Sequence, residues 1–224
     1  MTPPPDLIVL CAGGHARVVI DVLQRARQIV TALVDADPKL HGTRLDEIPV
    51  IGDETVVLGR DPATVILVNA LGNGAVRVGD SGLGPRRELF TAFKAKGYRF
   101  GQVISRDAAV SRFVELDEGC QIITGAIIHP GTVVGANTII NTGAQLDHDV
   151  HVGAHCHIAP GAILCGLVRV GTACHIGAGA VLQQGIRIGD GAVVAAGAVV
   201  IADVPPGATV LGNPARIKPG SRSS

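Results

Sequence analysis

Four of the eight histidines crowd into Leu146-Asp147-His148-Asp149-Val150-His151-Val152-Gly153-Ala154-His155-Cys156-His157. Imidazole is the side chain whose unperturbed protonation changes near neutral pH, so proton transfer and metal binding are the chemistries to weigh here. Asp149 follows His148, and a carboxylate beside an imidazole fixes its tautomer and raises its basicity, as a general base requires. Gly166 lies 18 residues beyond His148. The repeat described below stacks the two, leaving open space and a backbone N–H close to the ring. A base beside an oxyanion-binding N–H suits attack of an amine on a thioester. Two other readings of the same histidines stand beside this one. They could be polar groups of a surface or subunit interface. They could also form a zinc set shared across an interface: His157 and His175 are one repeat apart, and His148, His151 and His155 offer further nitrogens. No spacing among them is as diagnostic as HExxH or paired CxxC. His129, Asp147 and Cys165 fall in a single stacked column, which could form a hydrogen-bonded ladder.

The element that must position these residues is a repeat. An aliphatic residue recurs at every sixth position from Ile104, Val110 and Leu116 through Ile158 and Leu164 to Val194 and Val200, seventeen times without a slip. Two residues before each sits a mostly small side chain, such as Ala126, Thr132, Ala144, Ala162 or Ala180, so Cys120, Cys156 and Cys174 read as interior filler. A period of six with one large and one small inward side chain means three short strands per turn, about 18 residues per coil, in a left-handed parallel β-helix of hexapeptide repeats. Positions 18 apart then stack at about 4.8 Å. The unbroken register inserts no loop between 104 and 200, so an active site must use side chains that project from the coils. Flat faces of such a prism associate most simply by closed three-fold packing, so a homotrimer is expected.

Before the repeat the pattern changes. Leu7 to Cys11 reads as a strand, Ala12-Gly13-Gly14-His15 as a tight turn, Ala16 to Arg27 as a helix and Ile29 to Val34 as a second strand ending at Asp35. In such a βαβ unit a glycine turn at the helix N-terminus can hold a phosphate. It does not match the dinucleotide fingerprint GxGxxG, because Cys11 and Ala16 occupy the outer glycine positions. Further strands are expected at Pro49 to Ile51, Thr64 to Asn69 and Tyr98 to Val103, with a helix from about Pro85 to Lys96. The glycine-rich stretch Gly74 to Gly84, with Arg77, reads as a flap or an ordinary surface loop. The expected division is an α/β domain at 1–103, the β-helix at 104–203 and a turn-rich closing segment at 204–224, with Ser221 to Ser224 frayed.

Composition narrows the partners. Lys plus Arg and Asp plus Glu are both 19, which leaves no broad basic surface for nucleic acid. The N-terminus has no basic flank and its apolar run is too short to span a bilayer, so a cytoplasmic protein without membrane insertion is expected. Five cysteines without a CxxC pair fit reduced thiols.

Taken with Ala70-Leu71-Gly72-Asn73 and Asn141-Thr142-Gly143-Ala144-Gln145-Leu146-Asp147-His148-Asp149, the βαβ start makes the chain similar, from Asp6 to Arg216, to a bacterial family. The family is the nucleotide-sugar acetyltransferases, which include the bacillosamine and perosamine N-acetyltransferases and are grouped with sialic-acid O-acetyltransferases. The resemblance implies that His148 is the general base, oriented by Asp149 where these enzymes often have Glu. It implies that Asn141 lies near the sugar acceptor, His157 near the acetyl-CoA thioester, and the Gly166 N–H at the thioester oxygen. Gly14, His15, Asp35, Gly72 and Asn73 match the nucleotide-sugar pocket, although Cys11 stands where its turn usually begins with Gly. Ala178, Ala196, Pro214 and Arg216 match the CoA groove, where Arg216 or Lys218 could pair with a phosphate.

The expected activity is therefore transfer of acetyl from acetyl-CoA to the amine of a nucleotide-linked 4-amino-4,6-dideoxy sugar, of GDP-perosamine or UDP-amino-sugar type, in lipopolysaccharide or glycan biosynthesis. It would proceed by direct transfer at subunit interfaces and without a metal. An O-acetyltransferase, a zinc carbonic anhydrase of the β-helix type and a noncatalytic sugar-nucleotide sensor are the alternatives.

Overall fold

The structure, a computed structural model, describes residues 4–219. The expected fraying of Ser221 to Ser224 lies outside them. The chain opens with β1 (Asp6–Leu10), α1 (Gly14–Arg25) and β2 (Ala32–Val34). A short pair, β3 (Arg44–Leu45) and β4 (Ile48–Pro49), precedes α2 (Glu54–Leu58). Then follow β5 (Val65–Asn69), α3 (Gly84–Ala95) and β6 (Arg99–Phe100). The strands form one parallel sheet in the order β2-β1-β5-β6. Helix α1 buries Ala16, Val19, Ile20, Val22 and Leu23 against it. Chain order reverses between β1 and β5, so the crevice past their C-terminal ends is where such a sheet takes a ligand.

Several elements are shorter than the sequence pattern predicts, for local reasons. Cys11 ends β1 with a left-handed φ of +75°, and Arg27 ends α1 in the same way at +59°. Ile29 is 82% exposed and β2 begins only at Ala32. The strand expected at Pro49 to Ile51 is replaced by the β3–β4 pair, with Val50 bridging Leu33. The expected strand Tyr98 to Val103 is two: β6 closes the N-terminal sheet, while Val103–Ile104 begins the first coil.

From Val103 the chain winds as a left-handed β-helix. Every strand from there to 200 is two residues long and pairs in parallel with the strand 18 residues away, as in Gln121 with Ile139, Ile127 with Gln145 and Val133 with His151. Three sheets result. The first faces the N-terminal domain and includes 121–122, 139–140, 157–158, 175–176 and 193–194. The second includes 127–128, 145–146, 163–164 and 181–182, and the third 133–134, 151–152, 169–170 and 187–188. Ile122 through Val200 point inward at every sixth position and are buried. Val110 and Leu116 are half-buried and Ile104 is 38% exposed, because the first coil lacks a layer beneath it.

The small inward positions differ by column. Ala126, Ala144, Ala162, Ala180 and Ala198 stack beneath the second sheet, all fully buried. Beside the first sheet stand Cys120, Thr138, Cys156 and Cys174, whose Sγ and Oγ atoms donate to carbonyls of the neighbouring coil: Thr138 to Gly153 at 2.9 Å, Cys156 to Gly171 at 2.9 Å and Cys174 to Gly189 at 3.1 Å. The thiols are therefore interior donors as well as filler. The closing segment is more ordered than its turn-rich sequence suggests: Thr209–Gly212 extends the first sheet and Ala215–Ile217 folds back on it antiparallel. Among the described residues no helix is long and apolar enough to cross a membrane.

Because each coil supports the next, a void should weaken the whole stack. Leu164→Ala empties a fully buried site. It should cost about 2–5 kcal/mol, read as a lower urea midpoint with an unchanged far-ultraviolet spectrum.

Candidate functional site

A cavity of about 900 Å³ opens at the β1/β5 switch point, between the N-terminal sheet and the first face of the β-helix. Its lining includes Gly14, His15, Asp35, Gly72, Asn73, Asn141 and His157, so residues 143 positions apart in sequence meet there. The first turn of α1 forms one wall. Its start at Gly13 carries no side-chain cap, which leaves backbone N–H groups facing the cavity as anions require. Asp35 braces the turn by accepting from the N–H groups of Ala12 (2.7 Å) and Asp37 (2.8 Å). Glu54, Glu88, Leu89 and Ile139 complete parts of the wall.

The β-helix side presents a column of outward side chains in register, Gln121, Ile139, His157 and His175, of which Ile139 and His157 line the cavity. Gln121 donates from Nε2 to the Asn69 carbonyl (2.6 Å), so its Oε1 faces His15 Nε2 at 2.8 Å and accepts that N–H. Burial lowers the His15 pKa, against which the Gln121 bond acts. Asn141 Oδ1 accepts the Thr142 N–H (2.8 Å), which turns its amide nitrogen toward His157 Nε2 at 2.9 Å. His157 must then carry its proton on Nδ1, an atom buried without a partner. Burial, helped by the charges of His175, His15 and Arg86, pulls its pKa to about 3, and burial takes His175 to about 4. The two rings meet edge to face with centroids 5.3 Å apart.

Beneath the cavity Arg86 of α3 is fully buried. Its Nη1 donates to the carbonyls of Asn69 (2.6 Å) and Leu71 (2.8 Å), and its Nε reaches that of Asn137 (3.3 Å). Burial lowers its pKa to about 9, leaving it cationic at neutral pH. Sequence reasoning missed Arg86 entirely, since nothing in α3 marks it. Gln121 and Ile139 were within reach of the 18-residue rule, which puts them in the His157 column.

His148 stands elsewhere, in the exposed corner between the second and third sheets. Its Nδ1 donates to Asp149 Oδ2 at 2.9 Å, which leaves the Nε2 lone pair free. That bond raises the His148 pKa, with smaller contributions from the charges of Asp147 and Asp149. Asp149 Oδ2 reaches back to the ring because residue 149 has a left-handed φ of +58°. The imidazole lies on Gly166: a Cβ there would sit 2.6 Å from Nε2. One coil earlier, the N–H of His148 is taken by the Asp147 carboxylate at 2.8 Å. Cys165 offers no such oxygen, and the Gly166 N–H has no partner among the described residues.

The other histidines of the cluster disperse around the coil. His151 lies on the third face, and His155 packs on Phe90 at 5.6 Å and meets Asn137 Nδ2 at 3.0 Å. Among the described residues no three His, Cys, Asp or Glu side chains converge as a metal-ligand group. No side-chain hydrogen bond links His129, Asp147 and Cys165, so the column is not the ladder its stacking allowed; Asp147 caps His148 instead.

A second cavity, of about 560 Å³, lies along the last coils and includes His175, Ala178, Ala196, Thr209 and Lys218. Val76, Arg77 and Val78 close it from the N-terminal domain. Pro214 and Arg216 are exposed outside its lining, and Arg216 Nη1 donates to the Ala215 carbonyl (2.9 Å).

Residues 6–78 match the PglD N-terminal domain. Residues 131–166 match the bacterial transferase hexapeptide (six repeats), and 167–202 the hexapeptide repeat of succinyl-transferase. The acetyltransferase domain of PglB from Neisseria gonorrhoeae FA1090, solved with acetyl coenzyme A, is 32% identical, with a TM-score of 0.86, over 96% of this chain and 100% of that one. PerB from Caulobacter crescentus, solved with CoA and GDP-perosamine, is 35% identical, with a TM-score of 0.84, over 95% and 97%. WeeI from Acinetobacter baumannii AYE is 27% identical, with a TM-score of 0.76, over 95% and 99%. A search of curated sequences gave no match.

The two kinds of histidine should separate in solution. In NMR titrations His157, at about 3, should stay neutral from pH 5 to 9. His148 should titrate above the ordinary imidazole value, and Asp149→Asn should bring that midpoint down. An unmoved midpoint would show that Asp149 does not raise its basicity.

Proposed function

The chain belongs to the bacterial nucleotide-sugar acetyltransferase family, and on that premise we propose that it transfers acetyl from acetyl-CoA to the amine of a nucleotide-linked 4-amino-4,6-dideoxy sugar. It is an acetyl-CoA-dependent enzyme that acts on a sugar amine. The observation that carries the reading is the pairing of a raised, solvent-facing His148 with the unpartnered N–H of Gly166. The amine attacks the thioester carbonyl and forms the C–N bond, while the carbonyl oxygen takes up negative charge beside the Gly166 N–H. His148 Nε2 accepts the proton that the nitrogen loses and passes it to the departing sulfur, so that the C–S bond breaks and CoA leaves as its thiol. Direct transfer of this kind needs no acyl-enzyme.

The acceptor's nucleotide is assigned to the switch-point cavity, with its phosphates at the α1 N-terminus beside Gly14 and His15 and the sugar toward Asn141. CoA is assigned to the groove at Ala178 and Ala196. GDP-perosamine, found with PerB, is one candidate acceptor, and a UDP-linked amino sugar is another.

His148 does not line the cavity of its own chain. The reading therefore places the site between copies, with His148 of one chain facing the cavity of its neighbour in a closed homotrimer. The outward, half-buried Ile127, Ile163, Val181 and Val199 of the second sheet supply an apolar face for that packing.

His148→Ala should lower turnover at least 100-fold, within the range for loss of a general base, while CoA binding persists. Thiol release should be followed with UDP-, GDP- and dTDP-linked amino sugars. Turnover unchanged by His148→Ala would sink the base assignment, and no release with any acceptor would sink the activity. Mixing His148→Ala chains with His157→Ala chains should restore part of the activity, because some interfaces then pair two intact halves. Hybrids as inactive as their parents would show that each site lies within one chain.

A further inference from the structure

We infer that His175, held by Asn73, is a positioning residue that couples the groove along the last coils to the switch-point cavity. The inference rests on the acetyl-transfer reading, in which these two spaces hold CoA and the nucleotide sugar.

The contacts form one continuous path. His157 borders the cavity and His175 borders the groove. They are register neighbours in the first sheet, and their rings meet edge to face, so the pair is the partition between the two spaces. Asn73 reaches across from the N-terminal domain and donates from Nδ2 to His175 Nδ1 at 2.9 Å. Asn73 also borders the cavity, and its Oδ1 is buried without a partner. The unpartnered Nδ1 of His157 lies in the same partition. Unpaired buried polar atoms are costly, and two of them on residues that line one cavity mark a place where a ligand group or a small shift would find a donor and an acceptor waiting.

Asn73 also leads into the segment that roofs the groove. Residues 74–82 are pinched into a closed loop by the Gly74 N–H to Gly82 carbonyl bond (2.9 Å) and by paired bonds between Arg77 and Asp80 (2.9 and 3.0 Å). Gly82 has to be glycine here, because its φ is +67° and a Cβ would lie 2.7 Å from the Gly74 carbonyl oxygen. The loop tip is tied to the far end of the β-helix where the Gly79 N–H donates to Thr209 Oγ1 at 2.9 Å. Val76, Arg77 and Val78, between tip and base, line the groove.

A molecule seated in the groove therefore presses on a loop whose base is Asn73, and Asn73 holds the partition. Ordering that loop for one substrate lowers the ordering cost left for the other, which is cooperativity without a large movement.

The test measures UDP and GDP binding by calorimetry, with and without saturating CoA, for wild type, His175→Ala, His175→Gln and Asn73→Ala. CoA should tighten binding of the preferred nucleotide by about fivefold or more in wild type, the lower end of typical coupling. The effect should vanish in His175→Ala and Asn73→Ala, and persist in part in His175→Gln, whose amide can still pair with Asn73. With both substrates saturating, His175→Gln should retain more of the wild-type kcat than His175→Ala, because its amide can still pair with Asn73. Coupling retained in both alanine variants overturns the inference. So does a kcat that collapses while coupling persists, because His175 would then touch the reaction itself. Wild type that binds both ligands independently overturns this inference alone, whereas wild type that binds neither CoA nor any nucleotide overturns the functional reading beneath it.

Discussion

Parallel pairing of each residue with the one 18 positions away is the constraint on which the rest of the molecule depends. It holds in all three sheets, as in Ile139 with His157, Leu146 with Leu164 and Val152 with Val170. An inserted residue would turn every later side chain away from its column. The register therefore decides which side chains can cooperate. It lays His148 over Gly166 and His157 beside His175, though neither pair is close in sequence. It also separates neighbours: within ten residues, His148 and His155 go to two different corners, and His151 and His157 to two different faces.

A second constraint fixes how the N-terminal sheet meets this prism. The strand end at Asn69 and the turn at Leu71 turn carbonyl oxygens toward the buried Arg86, which satisfies them with one planar guanidinium. A buried cation is expensive, and here several carbonyl bonds offset the cost. Asn69 Nδ2 reaches Asn137 Oδ1 at 3.1 Å and the Arg86 carbonyl at 3.0 Å, so the network ties β5, α3 and the coil together. Gln121 and His15 extend it to the first turn of α1. The cavity is thus framed by two bodies locked through polar contacts whose geometry is more specific than apolar packing.

The fold was legible because its signal is periodic. Seventeen aliphatic residues at a single spacing can be read without knowing any contact, and the same arithmetic put Gly166 against His148. The site was legible only in part. His157 and Asn141 reach the cavity from columns that the repeat defines, but the bonds Asn73 to His175, His15 to Gln121 and Arg86 to the Asn137 carbonyl join segments 51 to 106 residues apart, with no periodic relation. Boundaries failed where backbone conformation, not side-chain pattern, ends an element: Cys11 and Arg27 adopt left-handed φ although neither is Gly or Asn. The closing strand Thr209–Gly212 was missed because it follows a break in the hexad and pairs at a spacing of 16 from Val193 to Thr209.

Burial also decides which of the clustered imidazoles can act as a base under the acetyl-transfer reading. His157, at about 3, is neutral at physiological pH, but Asn141 occupies its Nε2 and its Nδ1 bears the proton, so it has no free lone pair. It can donate and cannot accept. His175 presents its Nδ1 to Asn73 and is likewise held low by desolvation. His155 spends Nδ1 on Asn137, and its pKa is lowered first by burial and then by the charges of Arg87 and Arg86. His148 alone of these four combines exposure, a carboxylate on Nδ1 and an open Nε2. The coil places His148, His155, His157 and His175 in separate environments, and of these only the corner at His148 favours the charged form that accepting a proton creates.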